Sequence, residues 1–261
     1  AAEDPSTCGP LHLLFDRPNV KHAIRVQALN TSETIFGHEW IHVTAASGLD
    51  DASPDVRVAA IRSMEYALSQ NFYDQAACLT PLADDADPAV RLQLILSLGE
   101  AKGDTGAALL GKLMRMNFND PIMRNAILTS LTPENISGVL AEVLDAPEED
   151  SRDALIALLI GQAASFGQVD ELERPLVRYL ESTNMDDSTQ HLEATASLLT
   201  RLHRSELKTL MDRESITQAL GSIEMDAAKV TGRRDEDSVR QVAAIHLLTA
   251  IAPIRWGDYV A

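Results

Sequence analysis

Cysteine is almost missing from this 261-residue chain, which has only Cys8 and Cys78. Two thiols exclude a disulfide framework and a four-thiolate metal site, and the plainest expectation is one buried thiol and one in a loop. Aromatic residues are also scarce, at 4%, which argues against a β-sandwich and for closely packed helices rich in Ala, Leu, Ile and Val. Positive charge is short as well. Lys and Arg number 22 against 39 Asp and Glu, a net charge of −17, and a surface of that sign repels phosphate backbones. Nucleic-acid binding is therefore disfavoured. No apolar run is long enough to span a bilayer. The opening Ala1-Ala2-Glu3-Asp4-Pro5-Ser6-Thr7 has no initiator Met, basic n-region or apolar h-region, so a signal peptide is expected to be absent or already removed.

What the chain does have is repetition. Hydrophobic residues make up 45% of it, enough for a buried core, and they recur in copies of one unit. The segments DASPDVRVAAIRSMEYAL (51–68), DADPAVRLQLILSLGEA (85–101) and NFNDPIMRNAILTSL (117–131) align without gaps around a proline and an arginine three residues later. Pro54, Pro88 and Pro121 are 34 and 33 residues apart, and Pro18, with Lys21 in the arginine place, precedes Pro54 by 36. Weaker copies follow at 146–160, keeping Arg152, and at 235–251, with Val239-Arg240 and Ser238 near the proline place.

Each copy carries a helix start. Ser53, Asp87 and Asp120 place a side-chain oxygen before a proline whose missing N–H is harmless at the first helical position. The stripes Val56, Ala60, Met64, Ala67; Val90, Leu94, Leu98; and Val239, Ala243, Leu247 predict buried faces. Second helices are expected over 73–82, 105–116 and 136–144, and exposed loops over 181–190 and 231–238. A helix-turn-helix unit with one apolar stripe buries it only against neighbouring copies. The expected fold is therefore all-α: a single α-solenoid over 1–261 of about five to seven helix pairs, with clear repeats at 16–131, irregular ones at 132–234 and a final one at 235–261.

The tetratricopeptide pattern is missing, and the ankyrin-like GPLHLL (9–14) occurs once. By contrast, D-x-D/S-P-x-V-R opening an Ala/Leu-rich helix resembles the short HEAT-like repeats, in which the Asp and Arg bond to backbone and side chains between successive units. Arg57, Arg91 and Arg240 are accordingly expected to be partly buried against neighbouring turns. The succession from LDDASPDVRVAAIRSMEYA through NDPIMRNAILTSL to DEDSVRQVAAIHLLTAIAP further resembles the HEAT segment of large bacterial proteins, PVC-type haem-binding or membrane-bound-dehydrogenase-like. Those proteins carry a β-propeller before the segment and a cytochrome c module after it. The resemblance implies a periplasmic or secreted redox-type parent whose c-type haem lies outside this chain. Neither Cys8 nor Cys78 sits in C-x-x-C-H, so no cofactor site is carried over.

One motif points elsewhere. His38-Glu39-Trp40-Ile41-His42 spells H-E-x-x-H, in which two histidines one turn apart hold zinc and the glutamate activates water. A zinc hydrolase also needs a third ligand and a substrate-binding sheet, and no β-patterned segment precedes residue 37. Ala45 and Gly48 stand where the longer motif requires Gly and His, and Glu65, the nearest candidate ligand, lies inside a repeat helix. The arc of His38, Glu39 and His42 reads as solvent-facing helix surface. Ser53 and Ser151 lack a triad, and His12, His22, His191, His203 and His246 show no ligand spacing. The acidic runs at 84–87 and 148–150 read as solvated turns.

The expectation is thus a non-catalytic scaffold for protein or interdomain contacts, with no catalytic, cofactor or metal residue assigned. The alternatives are a zinc hydrolase using His38, Glu39 and His42, and a helical-repeat lyase-type enzyme. The last repeat is apolar on nearly every side: Val239, Val242, Ala243, Ile245, Leu247, Leu248, Ile251 and Ile254. It is expected to be covered by following residues or another polypeptide, or to self-associate.

Overall fold

Proline sets the rhythm of the helices in the computed structural model, which describes residues 13–14, 17, 19–36, 45–70, 74–146, 152–168, 172–181, 189–233 and 237–256. Helix α2 (Pro54–Ser63), α5 (Pro88–Leu98) and α7 (Pro121–Ser130) each begin at the repeat proline. At two of these starts the expected cap forms. Asp87 accepts from the Ala89 amide at 2.8 Å, and Asp120 accepts from Ile122 at 2.8 Å and Met123 at 3.2 Å. Ser53 makes no side-chain cap bond; its own amide instead donates to Asp51 Oδ1 at 2.8 Å. The described residues contain helices and no strand, so the fold is the all-α, solenoid type that the repeats predict.

By contact the chain divides into two compact units, Ala1–Val139 and Leu140–Ala261. In the first, α1 (His22–Phe36) packs on α2, α2 on α5, and α5 on α7, forming a row of first helices. Behind this row lie α3 (Glu65–Gln70), α4 (Gln75–Leu79), a 3-10 turn (Thr80–Asp84) and α6 (Asp104–Asn117). The 73–82 helix expected from the sequence is therefore shorter, because Pro81 lacks the N–H that an α-helix would need there. Val56, Ala60, Met64 and Ala67 are buried, as are Val90, Leu94 and Leu98, so the stripes of these copies point inward as read.

Helix α8 (Ile136–Asp145) follows α7. The second unit continues with α9 (Arg152–Ser165), α10 (Glu173–Glu181), α11 (Thr189–Arg201), α12 (Arg204–Met211), α13 (Glu214–Gly232) and α14 (Ser238–Trp256). Here α9 packs on α11 and α11 on α14, with α13 against α10 and α14. The segments 181–190 and 231–238 contribute more helix than expected: Thr189 opens α11, Thr231 and Gly232 close α13, and Ser238 opens α14. Residues 182–188 lie outside the described residues.

The final repeat departs from its alignment. Ala243 and Leu247 are buried, but Val239, expected on the same stripe, is 62% exposed. The reason is a one-residue change of helix phase. Arg57, Arg91 and Arg124 are each the fourth residue of their helix, whereas Arg240 is the third of α14. Asp237 accepts from the Val239 amide at 3.2 Å, just as Asp87 accepts from Ala89. Counted from the cap, Val239 holds the outward place of Ala89 and Ile122. The same phase rule moves the first arginine. Helix α1 starts at His22, so its fourth residue is Arg25, and this residue rather than Lys21 takes the arginine place.

Close packing in the first unit depends on two glycines, Gly106 against the turn before its own helix and Gly138 of α8 against α6. A Cβ at Gly106 would lie 2.7 Å from the Ala101 Cβ, and one at Gly138 would lie 2.6 Å from the Ala107 Cβ. Glycine in a helix interior ordinarily destabilises by about 1 kcal/mol relative to alanine, so only the contact explains these residues. Gly106→Ala and Gly138→Ala should each lower stability by about 1–3 kcal/mol in denaturant titrations. Gly232→Ala, with nothing within 4 Å, should be neutral or stabilising. Stabilisation by all three would show that the helices have room to spare.

Candidate interaction surface

A recurring Asp-x-x-Pro-x-x-Arg segment ties the repeats of the first unit together. In the copy at 51–57, the Asp51 carboxylate receives Arg25, with Nε at 2.6 Å from Oδ2 and Nη2 at 2.9 Å from Oδ1. In the copy at 85–91, Asp85 accepts two hydrogen bonds from Arg57, at 2.7 and 2.8 Å, whereas at Asp51 only the Arg25 Nη2 contact is a hydrogen bond and Nε is close without one. Each arginine also donates back to the turn before its own helix: Arg57 to the Asp51 carbonyl at 2.7 Å, Arg91 to the Asp85 carbonyl, and Arg25 to the Val20 carbonyl. Asp85 further accepts from the Asp87 amide at 2.9 Å. One side chain thus fastens its own turn and the next copy's turn together. The planar guanidinium fork matches the carboxylate, which a lysine ammonium does not.

These groups are shielded, with side-chain exposures of 15% for Arg57 and 7% for Asp85. Burial alone would push the Asp85 pKa up. The hydrogen bond from Arg57, the Asp87 amide and the charges of Arg57 and Arg91 outweigh it and hold the carboxyl below its ordinary value. Arg57 is shifted upward by the same hydrogen bond, against burial. The acidic run at 84–87 is therefore more than a solvated turn. Asp85 bridges copies, Asp87 caps a helix, and Asp84 pairs with Lys112 at 3.0 Å.

The ladder changes at its third rung, where Phe118 replaces the aspartate. Arg124 keeps the carbonyl bond, to Phe118 O at 3.3 Å, and its guanidinium lies 5.6 Å from the Phe118 ring, a weaker contact than a charged fork.

The row of first helices also carries a polar seam. Arg62 donates to Gln93 at 3.1 Å; Gln93 and Ser97 donate to Glu65 at 3.2 and 2.7 Å. Glu65, weighed above as a metal ligand, is thus engaged in holding α5. Outside the seam the row is open. Asp55 on α2, Ala89 and Leu96 on α5, and Ile122, Asn125 and Thr129 on α7 are exposed. Leu96 and Ile122 leave 44% and 68% of their surface in water. Exposed apolar side chains on packed parallel rows suit protein contact.

The other singled-out residues are placed as follows. His38, Glu39, His42, Cys8, His12 and Ser151 lie outside the described residues, as does the acidic run 148–150. Cys78 is exposed, on α4 rather than in a loop. His22 lies 3.9 Å from Asp55, and the His203 amide donates to Glu206 at 2.7 Å. Among the described residues, no three His, Cys, Asp or Glu side chains are grouped to hold a metal ion. No described helix is long and apolar enough to cross a membrane.

The sequence reading missed a buried polar cluster in the second unit. His191 is fully buried, with Nδ1 3.2 Å from Asp153 Oδ2 and its ring 4.7 Å from the Tyr179 ring. Thr195 donates to the Tyr179 hydroxyl at 3.4 Å. Burial, more than the Asp153 charge, raises the Tyr179 pKa well above the ordinary tyrosine value. His191 falls on the apolar stripe of α11 with Leu192, Leu198 and Leu199, and its partner is 38 residues away in sequence, so spacing carried no signal.

A family model of HEAT repeats matches residues 44–132, the stretch that holds the Arg57–Asp85 fork and the three helices that begin at the repeat prolines. The chain therefore carries a HEAT-repeat segment, confirming the coarser part of the resemblance. No curated protein matches the chain.

Arg91→Ala should destabilise by about 1–3 kcal/mol, because the Asp85 carbonyl loses its donor; a change within error would make this arginine decoration. The pH limits have opposite signs. Asp85 stabilises the fold at pH above about 4 and loses that contribution as acid protonates it, so Asp85→Asn should flatten the acid limb of stability against pH. Tyr179 is neutral in both states below about pH 10, and above it only the unfolded chain ionises readily. Alkaline stability should fall there, and Tyr179→Phe should remove that part of the slope.

Proposed function

We propose that the chain is a non-catalytic scaffold whose row of first helices binds protein, within a larger exported redox-type parent. The single observation behind the contact surface is that α5 and α7, packed side by side in the row, turn Leu96 and Ile122 toward solvent. A rigid row presenting apolar side chains forms a contact surface without an ordering cost at each helix. The HEAT-repeat match supports the same reading, because this fold commonly serves protein contact. The exported parent rests on the sequence resemblance, as do the periplasmic or secreted location and a c-type haem outside this chain. Fold alone does not deliver a partner's identity.

Two measurements test the proposal. A protein captured by the wild-type chain from its native extract should be lost with Leu96→Glu and Ile122→Glu, exposed positions where the fold tolerates charge. Retention by both variants would remove this row from the interface. Separately, protein dialysed without chelator should hold well under one zinc per chain. Stoichiometric zinc, with peptidase activity abolished by Glu39→Gln, would make it a hydrolase.

A further inference from the structure

The joints along the row of first helices are fastened unequally. Between α1 and α2 Arg25 reaches Asp51, and between α2 and α5 Arg57 grips Asp85. The second joint also holds the seam, where Arg62 of α2 donates to Gln93 of α5 at 3.1 Å. Between α5 and α7 the corresponding arginine is Arg91. It donates to the Asp85 carbonyl of its own turn, and in the place of the carboxylate it would grip stands Phe118, six residues before Arg124 as Asp85 is before Arg91. Among the described residues no side-chain hydrogen bond or ion pair joins α5 to α7.

The turn before α7 is built differently to match. In the two earlier copies the amide of the cap residue donates to the carboxylate that the arginine holds, Ser53 to Asp51 at 2.8 Å and Asp87 to Asp85 at 2.9 Å. The Asp120 amide donates instead to the Asn117 carbonyl at 3.0 Å, and the Phe118 ring lies against Arg124 of its own copy. At its N-terminal end α7 is thus bonded to its own turn and not to α5. The other end of the same joint is closed. A Cβ on Gly99, the residue after α5, would lie 3.2 Å from the Ser130 Cα, so the two backbones meet there. Buried Asn135 donates to the Ser130 carbonyl at 2.9 Å and accepts from the Thr132 amide at 2.9 Å. Burial of Met123 and Ile127 draws α7 inward without direction.

We propose that α7 opens from α5 at its N-terminal end, pivoting on the contact of Gly99 with Ser130, while the two joints that have an arginine–aspartate pair stay closed. The row is rigid with this joint shut, and the opening is an excursion to a minor state of the native chain. Leu96 and Ile122 lie on the two sides of the joint. If the row binds protein as proposed above, the joint lets the spacing of these two side chains adjust to the partner. That consequence rests on the proposed function; the opening itself does not.

The test needs no partner. Three full-length chains, each with Cys8→Ser and Cys78→Ser, carry one new thiol at the same buried register, three residues on from the cap: Val56→Cys, Val90→Cys or Met123→Cys. With a neutral thiol reagent under native conditions, Met123→Cys should be labelled at least about tenfold faster than the other two, because local opening exposes it ahead of global unfolding. Phe118→Asp supplies the missing carboxylate. It should cut the ratio of Met123→Cys to Val90→Cys labelling about tenfold, and adding Arg91→Ala should restore the ratio. The ratio cancels any change in overall stability. Equal labelling of the three thiols would show that the row opens only as a whole. A ratio that Phe118→Asp leaves unchanged, or lowers equally without Arg91, would show that the absent fork is not what frees the joint. Neither outcome bears on capture of a protein through Leu96 and Ile122, so the two readings fail separately.

Discussion

The Arg57 guanidinium is the contact on which the repeat array turns. It donates to the Asp51 carbonyl on one side and grips the Asp85 carboxylate on the other, so one side chain fixes both the start of its own helix and the turn that opens the next. A helix pair with one apolar stripe has little stability alone. Burial presses neighbouring pairs together without fixing their offset, because the hydrophobic term is non-directional. A bidentate fork has direction, and it supplies the offset. With the offset set, Gln93 and Ser97 meet Glu65, and the stripes of α2 and α5 face inward together.

The ladder is also where the array varies. Its first two carboxylates, Asp51 and Asp85, are shielded and each takes an arginine, while the third rung substitutes Phe118 and keeps the carbonyl bond and a ring contact. The second unit organises its interior differently, around His191, Asp153, Tyr179 and Thr195. There Arg152 donates to the Leu144 carbonyl at 2.8 Å, so this arginine too fastens a preceding carbonyl.

Much of this was legible because local chemistry and tertiary need coincide. Proline at a helix start, aspartate before it and arginine in the first turn each act within a few residues, so their spacing survives in the sequence. Where the reading slipped, the cause was phase. Lys21 and Arg240 occupy the arginine place in an alignment anchored on proline or Val-Arg, yet helices begin at His22 and Ser238. One residue of displacement turns a helix by about 100°, which is why Val239 faces water while Val56 and Val90 are buried. The His191 cluster was illegible for another reason: its members lie on three helices, and only their packing brings them together. The apolar character of α14 was visible as composition, but which side of the helix remained open depended on the same one-residue phase.

A double-mutant cycle at Arg57 and Asp85 tests the central claim most directly. The two singles and the double, each truncated to alanine, are compared by denaturant unfolding. If the fork sets the offset between copies, the pair should show a coupling energy of about 1–3 kcal/mol, the double being much less destabilised than the singles combined. A coupling near zero would mean that the side chains act independently, and that apolar packing alone aligns the repeats.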